Sequence, residues 1–286
     1  MSLTDDIQRA HASRHPLIMG VVNVTPDSFS DGGRYSRTGE AVAHGLKLAG
    51  KGADILDIGG ESTRPGAQPV DVEAELARVI PVIQGLRQET ACPISIDTSK
   101  PKVMQAAIEA GADMINDVNG LRGPGALDTA ASLGASVCLM HMQGEPRTMQ
   151  AEPRYRDVVT EVADFLAQRV ESCLAAGIRR EQLVIDPGFG FGKTLEHNLA
   201  LLNGIEALRQ SGVPVLAGLS RKSMLGSITG RTSTDQRLAA SLAAALLAAQ
   251  RGAAILRVHD VAETCDVIKV WLATRSAEQS RLQAVE

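Results

Sequence analysis

Short apolar runs alternate with longer amphipathic segments along almost the whole chain. Eight runs rich in aliphatic and β-branched residues occupy positions 17–24, 53–59, 93–98, 113–118, 135–141, 182–188, 213–220 and 253–259. Each run is too short for a typical helix and too continuously apolar for a strand with one face in water. The pattern therefore predicts eight buried strands of a parallel sheet.

The segments between these runs repeat their apolar residues at helical spacing. TGEAVAHGLKLAGKG (38–52) and YRDVVTEVADFLAQRVESCLAAG (155–177) carry apolar residues at i, i+3 and i+4, and both end at glycine. Eight repeats of strand and helix predict an α/β fold of the (β/α)8 TIM barrel type. An open doubly wound sheet is the alternative, but it usually has fewer strands and a glycine-rich first turn, which is missing here.

One domain accounts for nearly all of the chain. The barrel is expected to span residues 17–275, because no linker or low-complexity segment divides it. Residues 1–16 are interpreted as an N-terminal extension and residues 276–286 as a polar C-terminal tail. The length of 286 residues fits this division, since α/β barrels commonly reach that size as single domains.

Composition narrows the possible partners and location. The net charge of −4 argues against binding to nucleic acid or to an anionic membrane surface. The first residues lack the apolar region of a signal peptide, and no apolar run is long enough to span a membrane. The four cysteines show no CxxC spacing, which favours free thiols in the cytoplasm; they are Cys92, Cys138, Cys173 and Cys265.

Polar side chains close every predicted strand. They are Asn23, Asp57, Asp97, Asn116 with Asp117, His141, Asp186, Ser220 to Lys222, and Arg257 with His259. A single aspartate after a strand is often no more than a helix N-cap. Eight polar endings in register indicate more than caps, because the strand ends of a barrel meet on the face where active sites are built.

The types of these residues predict what the site binds. Carboxylates and amides side by side suit the edge of a flat, nitrogen-rich ring. Lys222, Arg257 and His259 follow strands seven and eight, where barrels commonly hold phosphate. The segment SRKSMLG (220–226) also begins a short helix whose free N–H groups suit an anion. We therefore expect a heterocycle at one end of the site and an anion at the other.

The segment PGFGFGKT (187–194) resembles a phosphate-binding loop but does not fit one. The pattern GxxxxGK[ST] requires glycine where Pro187 stands, and Lys193 occupies the last glycine position of GxGxxG. We interpret the segment as a flexible glycine-rich turn beside the site.

Seven longer motifs point to one family. MGVVNVTPDSFSDGGRY, DILDIGGESTRPGA, ISIDT, MINDV, VIDPGFGFGKT, GLSRKSMLG and LRVHD occur in order between about residues 15 and 272. Together they resemble the dihydropteroate synthases. The resemblance implies a homodimeric (β/α)8 transferase of folate biosynthesis. It would join 4-aminobenzoate to 6-hydroxymethyl-7,8-dihydropterin pyrophosphate, giving 7,8-dihydropteroate and pyrophosphate, with sulfonamides competing for the aminobenzoate site.

The resemblance also assigns roles to individual residues. Pterin-binding positions are Asp97, Asn116, Met140, Asp186, Lys222 and Arg257. The pyrophosphate would contact Asn23, Arg257 and His259, with Mg²⁺ as cofactor and Asn23 as its protein ligand. The residues expected to take part directly in catalysis are Asp97, Asp186, Lys222, Arg257 and His259. The 4-aminobenzoate subsite is expected to include Thr63, Arg64, Pro65, Phe191 and Ser223.

Two loops are expected to close over this site. Residues 24–35 and 61–67 correspond to the family's mobile loops. Loss of pyrophosphate leaves a cationic dihydropterin that water would capture, so loops that exclude solvent serve the reaction. Further candidates for the aminobenzoate pocket are Pro26, Asp27, Phe29 and Ser62.

Two rival functions share some of these features. A pterin-binding methyltransferase barrel would use the same aspartate and asparagine contacts, but it handles no pyrophosphate. It would therefore have no use for Asn23 or for the pair Arg257 and His259. The non-enzyme alternative is a paralogue that binds a pterin or a partner protein without turnover. Such a paralogue usually lacks the sequence motifs of the two loops.

Overall fold

The computed structural model describes residues 2–25, 34–62, 66–145 and 148–283. Within these ranges each of the eight predicted runs contains one strand. The strands are β1 (Leu17–Asn23), β2 (Ile55–Gly59), β3 (Ile94–Asp97), β4 (Met114–Asp117), β5 (Ser136–Met140), β6 (Leu183–Asp186), β7 (Leu216–Ala217) and β8 (Ile255–Val258).

Helices follow the strands and surround them. They are α1 (Leu3–Ser13), α2 (Arg34–Gly50), α3 (Val72–Glu89), α4 (Pro101–Glu109), α5 (Ala126–Leu133), α6 (Val158–Ala175), α7 (Leu195–Asn203), α8 (Ile205–Arg209), α9 (Ser223–Thr229), α10 (Leu238–Gln250) and α11 (Val261–Gln283).

The sheet closes on itself. All neighbouring strands pair in parallel in the order β6-β5-β4-β3-β2-β1-β8-β7. The two ends of this order meet where Ile185 pairs with Val215, and the Ile185 amide donates to the Pro214 carbonyl over 2.9 Å. The predicted (β/α)8 barrel is therefore confirmed, and the open doubly wound alternative was wrong.

Alternation along each strand separates the core from the barrel interior. In β2, Leu56 and Ile58 belong to the large cluster packed between sheet and helices, whereas Ile55 belongs to a smaller interior cluster. Because alternate residues of a strand face the same side, Asp57 follows Ile55 into the interior, nearer the carboxyl end of the strand. This spacing places a charged group in a strand whose five residues are all buried.

The N-terminal extension closes the other end of the barrel. Leu3 and Ile7 of α1 are buried in the interior cluster, and we refer to these two residues as the plug. The helix begins at a capping box, in which the Ser2 hydroxyl accepts from the Asp5 amide and the Asp5 carboxylate accepts from the Ser2 amide. Thr4 is 2.9 Å from Ser136 of β5 through their hydroxyl oxygens.

The last helix crosses the boundary placed at residue 275. Helix α11 continues through the segment interpreted as a polar tail as far as Gln283. Among the described residues, no helix is both long enough and apolar enough to cross a bilayer.

Candidate active site

One guanidinium joins three strands at the carboxyl end of the barrel. Arg257 of β8 donates from Nε to Asp57 Oδ2 over 2.6 Å and from Nη2 to Asp97 Oδ2 over 2.9 Å. Asn116 of β4 donates to the same oxygen of Asp57 over 3.4 Å. Asp57, Asp97, Asn116 and Arg257 thus form one hydrogen-bonded group, which we call the arginine cluster.

The arginine cluster holds two carboxyl groups but only one cation. Burial raises the pKa of Asp97 to about 7, although the neighbouring Arg257 acts in the opposite direction. Burial disfavours the Arg257 cation as well, yet Asp57 and Asp97 raise its pKa further above the ordinary value. Asp57 Oδ1 is buried without a hydrogen-bond partner among the described residues. A ligand that brings N–H donors or positive charge is therefore favoured here.

A third carboxylate and a lysine come from β6 and from the loop before α9. Asp186 Oδ1 accepts from the Gly188 amide over 2.7 Å, and burial raises the pKa of this aspartate. The Lys222 ammonium lies 4.3 Å from the centroid of the Phe191 ring, at cation–π distance. Gly190 has a φ of +78°, and a Cβ there would lie 3.3 Å from Lys222 Cδ. Glycine at this position therefore lets the lysine pass close to the loop.

The backbone before Lys222 adopts an unusual conformation. Arg221 has a φ of +59°, in the left-handed region that favours glycine. Its guanidinium binds both carboxylate oxygens of Asp260 over 3.1 and 2.5 Å, and its amide donates to Ser241 Oγ over 2.9 Å. These contacts hold a turn that sets the directions of Ser220 and Lys222 on either side of it.

His259 is fixed by that turn. Its Nδ1 lies 3.0 Å from Ser220 Oγ, and the same hydroxyl oxygen accepts from the His259 amide over 3.2 Å. Burial lowers the pKa of His259 to about 4, helped by the positive charges of Arg257 and Arg221. The imidazole is therefore neutral at pH 7, with Nδ1 occupied by Ser220 and Nε2 left for a ligand.

Gly59 leaves a space between two oxygen atoms at the strand ends. A Cβ at this position would lie 3.8 Å from Asn23 Oδ1 and 3.8 Å from Asp97 Oδ2. Oxygen donors of this kind suit a hard divalent cation. The described residues contain no group of three or more His, Cys, Asp and Glu side chains arranged for a metal. An ion at this point would take most of its ligands from a bound substrate and water.

Comparison with known proteins identifies the family. The family described as pterin binding enzyme matches residues 19–259. The dihydropteroate synthase of Haemophilus influenzae is 52% identical over 262 residues, which cover 92% of this chain and 95% of that protein. The chain belongs to the dihydropteroate synthase family. The resemblance seen in the sequence motifs is thereby confirmed.

Solved structures of dihydropteroate synthases share the whole fold. The Xanthomonas albilineans enzyme with 4-aminobenzoic acid is 57% identical, with a TM-score of 0.87, covering 93% of this chain and 97% of that one. The same enzyme in complex with 7,8-dihydropteroate is 55% identical, with a TM-score of 0.84, covering 93% and 98%.

The structure places only part of the expected aminobenzoate subsite. Phe191 lies beside Lys222, and Ser223 is exposed at the first position of α9. Met140 is buried in an apolar cluster with Val118, Met142 and Met149, against which Phe191 packs. Ser62 is half-buried, and the remaining predicted positions lie outside the described residues; they are Pro26, Asp27, Phe29, Thr63, Arg64 and Pro65.

Asp57 was not assigned a role from the sequence, although it holds Arg257 and Asn116 in place. The available signal was its spacing in ILDIG, two residues after a strand residue that faces the barrel interior.

Proposed function

We propose that this member of the dihydropteroate synthase family transfers the dihydropterin group of 6-hydroxymethyl-7,8-dihydropterin pyrophosphate to the amine of 4-aminobenzoate. The products are 7,8-dihydropteroate and pyrophosphate, in folate biosynthesis. The observation that carries the proposal is the buried arginine cluster, with two carboxyl groups on one guanidinium, at the active end of a barrel of this family. Bound 4-aminobenzoic acid and 7,8-dihydropteroate in the Xanthomonas albilineans enzyme support one substrate and the product of this reaction.

The pterin lies between the buried carboxylates. Asp186 accepts from the exocyclic amino group and N3–H of the pterin, using the carboxylate oxygen that Gly188 does not engage. Asn116 satisfies the neighbouring ring edge, and Lys222 faces the carbonyl oxygen and N5. Met140 packs against the ring. Burial of these groups makes their hydrogen bonds strong and leaves any wrong ring with unpaired polar atoms.

The pyrophosphate lies at the ends of β1 and β8. Arg257 is a permanent cation whose planar fork suits phosphate oxygens, and His259 offers Nε2 because Nδ1 is held by Ser220. Asn23 Oδ1, near Gly59, would be the protein ligand of a magnesium ion, whose other ligands would come from the pyrophosphate and water. When bound, Mg²⁺ neutralises charge on the leaving pyrophosphate.

Negative charge in the site assists the loss of pyrophosphate. The bond between the exocyclic methylene and the pyrophosphate oxygen breaks, the electron pair leaves with the pyrophosphate, and a delocalised dihydropterin cation remains. Asp97 and Asp186 stabilise this cation in surroundings shielded from water. The neutral arylamine then forms the new carbon–nitrogen bond and releases a proton, and no strong general base is needed.

The second substrate binds at the mouth of the site. Phe191 forms one wall of the aminobenzoate subsite, and Ser223 with the first amides of α9 binds the carboxylate. Thr63, Arg64 and Pro65 complete this subsite from the second loop. Loops 24–35 and 61–67 exclude water while the cation is present.

The protein is proposed to act as a homodimer in the cytoplasm. Its cysteines are free thiols, and three of the four are buried, which fits a reducing compartment. Leu247 of α10 and Val270 of α11 are large apolar side chains exposed to 39% and 66%, and they support an interface on these helices. A monomer in light scattering at micromolar concentration would overturn the dimer.

The function is tested by combining purified protein with dihydropterin pyrophosphate, labelled 4-aminobenzoate and Mg²⁺. We expect labelled dihydropteroate, and we expect EDTA to abolish it and excess Mg²⁺ to restore it. The Asn23→Ala variant should need more Mg²⁺ for half-maximal rate. Absence of product from folded wild-type protein would contradict the proposed reaction and favour a pterin-binding paralogue without turnover.

A further inference from the structure

Lys193, the last residue of the glycine-rich loop, points into the protein and not into solvent. Only 3% of the residue is exposed. Its Nζ lies 2.9 Å from His141 Nδ1, 3.0 Å from the Phe191 carbonyl oxygen and 3.5 Å from the His141 carbonyl oxygen. No carboxylate among the described residues lies within ion-pair distance of it; burial lowers the pKa of Lys193 to about 7, and the charge of Asp186 opposes this only in part. A buried lysine that contacts only neutral acceptors is unusual enough to need a reason.

The histidine partner is suited to accept from this amine. Burial lowers the pKa of His141 to about 3, with Lys193 contributing in the same direction. The imidazole is therefore neutral, and Nδ1 accepts a hydrogen bond from Lys193 Nζ. Phe165 packs edge-on against the His141 ring at 4.9 Å, and Tyr155 lies 6.1 Å away. Two packed aromatic rings thus fix the acceptor on which Lys193 depends.

The loop that ends at Lys193 needs such an anchor. Gly188, Gly190 and Gly192 have φ values of +68°, +78° and +63°, and a chain with this much freedom loses more entropy on ordering. A Cβ at Gly188 would lie 1.9 Å from the His141 carbonyl oxygen, so the loop runs directly against the end of β5. Contacts from outside the loop must therefore select this conformation.

The same loop carries the aromatic wall of the aminobenzoate subsite. Lys193 binds the carbonyl oxygen of Phe191, and the Phe191 ring lies 4.3 Å from the Lys222 ammonium. Lys193 thus holds the backbone of Phe191, while the face of the Phe191 ring contacts Lys222.

We propose that Lys193 is a positioning residue for the aminobenzoate subsite. Its amine ties the loop 187–193 to His141 and so keeps the Phe191 ring against Lys222. This inference rests on the proposed function, because it assigns Phe191 to the 4-aminobenzoate side of the reaction. The pterin side depends less on Lys193, because Asp186 is a residue of β6 and not of the loop.

The test compares Lys193→Met with Arg87→Met. Arg87 is a control matched in its backbone contacts, because it also donates to two backbone carbonyls, of Gly111 over 2.6 Å and Cys92 over 2.9 Å, although it pairs with Asp113 as well. Those carbonyls precede β4 and β3, at the opposite end of the barrel from Phe191. Both substitutions remove hydrogen bonds to backbone carbonyls, but only one of them should affect the aminobenzoate subsite.

Hydrogen–deuterium exchange measures the anchor without relying on activity. In Lys193→Met we expect amides 188–192 to exchange at least roughly tenfold faster, since about 1.4 kcal/mol of local stability corresponds to tenfold. Arg87→Met should speed exchange near residues 110–113 and leave 188–192 unchanged. Unchanged exchange at 188–192 in Lys193→Met would overturn the inference, whether or not the wild-type protein makes dihydropteroate.

Steady-state kinetics then assign the subsite. Lys193→Met should raise KM for 4-aminobenzoate roughly tenfold and KM for the pterin substrate less than about twofold. Lys193→Gln keeps one donor and should show a smaller rise, which also serves if the methionine variant fails to fold. An equal rise in both KM values, or none, would contradict the positioning role, while a wild type without turnover would contradict the proposed function instead.

Discussion

The same strands line both ends of the barrel interior, but the two ends carry different kinds of side chain. Toward the amino ends, the interior cluster is almost wholly apolar; its strand members are Met19, Ile55, Met114, Cys138, Val184, Leu216 and Ile255. Two residues further along four of these strands come Asp57, Asn116, Asp186 and Arg257, and Asp97 follows Ser95 of β3 at the same spacing. A step of two residues keeps a side chain on the same face of a strand. One interior therefore changes from apolar to charged over about 7 Å of strand.

The amino end of the barrel mainly stabilises the fold, whereas the carboxyl end serves the proposed function. The amino end is closed by the plug, where Leu3 and Ile7 of α1 remove apolar surface from water. The carboxyl end buries two carboxylates on one guanidinium and leaves a carboxylate oxygen without a partner among the described residues. Burial of unbalanced charge opposes folding, so the plug end compensates for an active end arranged for a ligand.

The largest expected effect comes from removing the cation of the active end. Arg257→Ala should lower turnover at least roughly a hundredfold, which is about 2.7 kcal/mol of barrier. It should also cost about 3 kcal/mol of unfolding free energy, because Asp57 and Asp97 lose their buried partner. Steady-state kinetics and urea unfolding measure the two effects. Arg275→Ala is the control, since Arg275 binds the Arg14 carbonyl over 2.8 Å in the extension that carries the plug.

Asp97→Asn separates charge from shape in the same cluster. It keeps the size of the side chain but removes the negative charge beside the developing cation, so turnover should again fall at least roughly a hundredfold. Near-normal kinetics in either purified variant would remove that residue from the mechanism.

The next largest effect comes from truncating the plug, which should lower the stability of the protein without changing its activity. Ile7→Ala deletes a side chain that is 1% exposed, and such truncations cost about 2 to 3 kcal/mol. Denaturant unfolding should show this loss, while both KM values and kcat at a temperature below the unfolding transition stay within about twofold. A fall in kcat that matches the Arg257 variant would show that the two ends are not separate.

A smaller effect appears in the dependence of stability on pH. The pKa of His259 falls to about 4 on folding and that of His141 to about 3, both by burial. Below about pH 6.5, these two histidines bind protons in the unfolded chain but remain neutral in the folded protein. The free energy of unfolding should therefore decrease as pH falls through this window. The slope is up to about 1.4 kcal/mol per pH unit for each group.

His259→Asn should reduce the slope of the unfolding free energy against pH by up to about 1.4 kcal/mol per pH unit between pH 5 and 6.5. Urea unfolding at several pH values measures it. An unchanged slope would mean that folding does not lower the pKa of His259, and the burial of this imidazole in its neutral form would then be wrong.

The smallest effect tests the glycine-rich loop. Tyr155 donates its hydroxyl to the Gly192 carbonyl over 2.9 Å, and Tyr155→Phe removes this one bond at a cost of about 1 kcal/mol. KM for 4-aminobenzoate should rise less than in Lys193→Met. If the phenylalanine variant has the larger effect in exchange and kinetics, the tyrosine and not the lysine anchors the loop.

The strands could be predicted from the sequence because parallel strands buried on both faces leave continuous apolar runs. The prediction was less successful for the ends of the strands. The run 213–220 contains only two strand residues, Leu216 and Ala217, because the chain soon turns toward the left-handed backbone of Arg221. Apolar character marks burial there and not strand conformation.

The burial of the plug could not be predicted from the sequence, for a related reason. Leu3, Ile7 and Ala10 lie at helical spacing on one face of α1 and are buried, but the charged residues between them make the segment look like a plain extension. Its partners are the interior strand residues, which are distant in sequence, so a local pattern could not indicate what the helix covers.

The candidate site was predictable in its residue types and not in its pairings. Polar strand endings identified Asp97, Asn116, Asp186 and Arg257 as neighbours at one end of a barrel. The partnership of Arg257 with Asp57 joins residues 200 positions apart, and it depends on closure of β8 against β1 and β2. Lys193 was set aside with a motif it does not fit, because its buried contacts with His141 exist only after the loop folds.

The most direct test of this account measures dihydropteroate formation by the wild-type protein, Arg257→Ala and Ile7→Ala under conditions where all three are folded. We predict that Ile7→Ala keeps turnover within about twofold, while Arg257→Ala loses at least roughly a hundredfold. Comparable losses in the two variants, or wild-type rates in Arg257→Ala, would contradict the claim that catalysis belongs to the charged carboxyl end of the barrel.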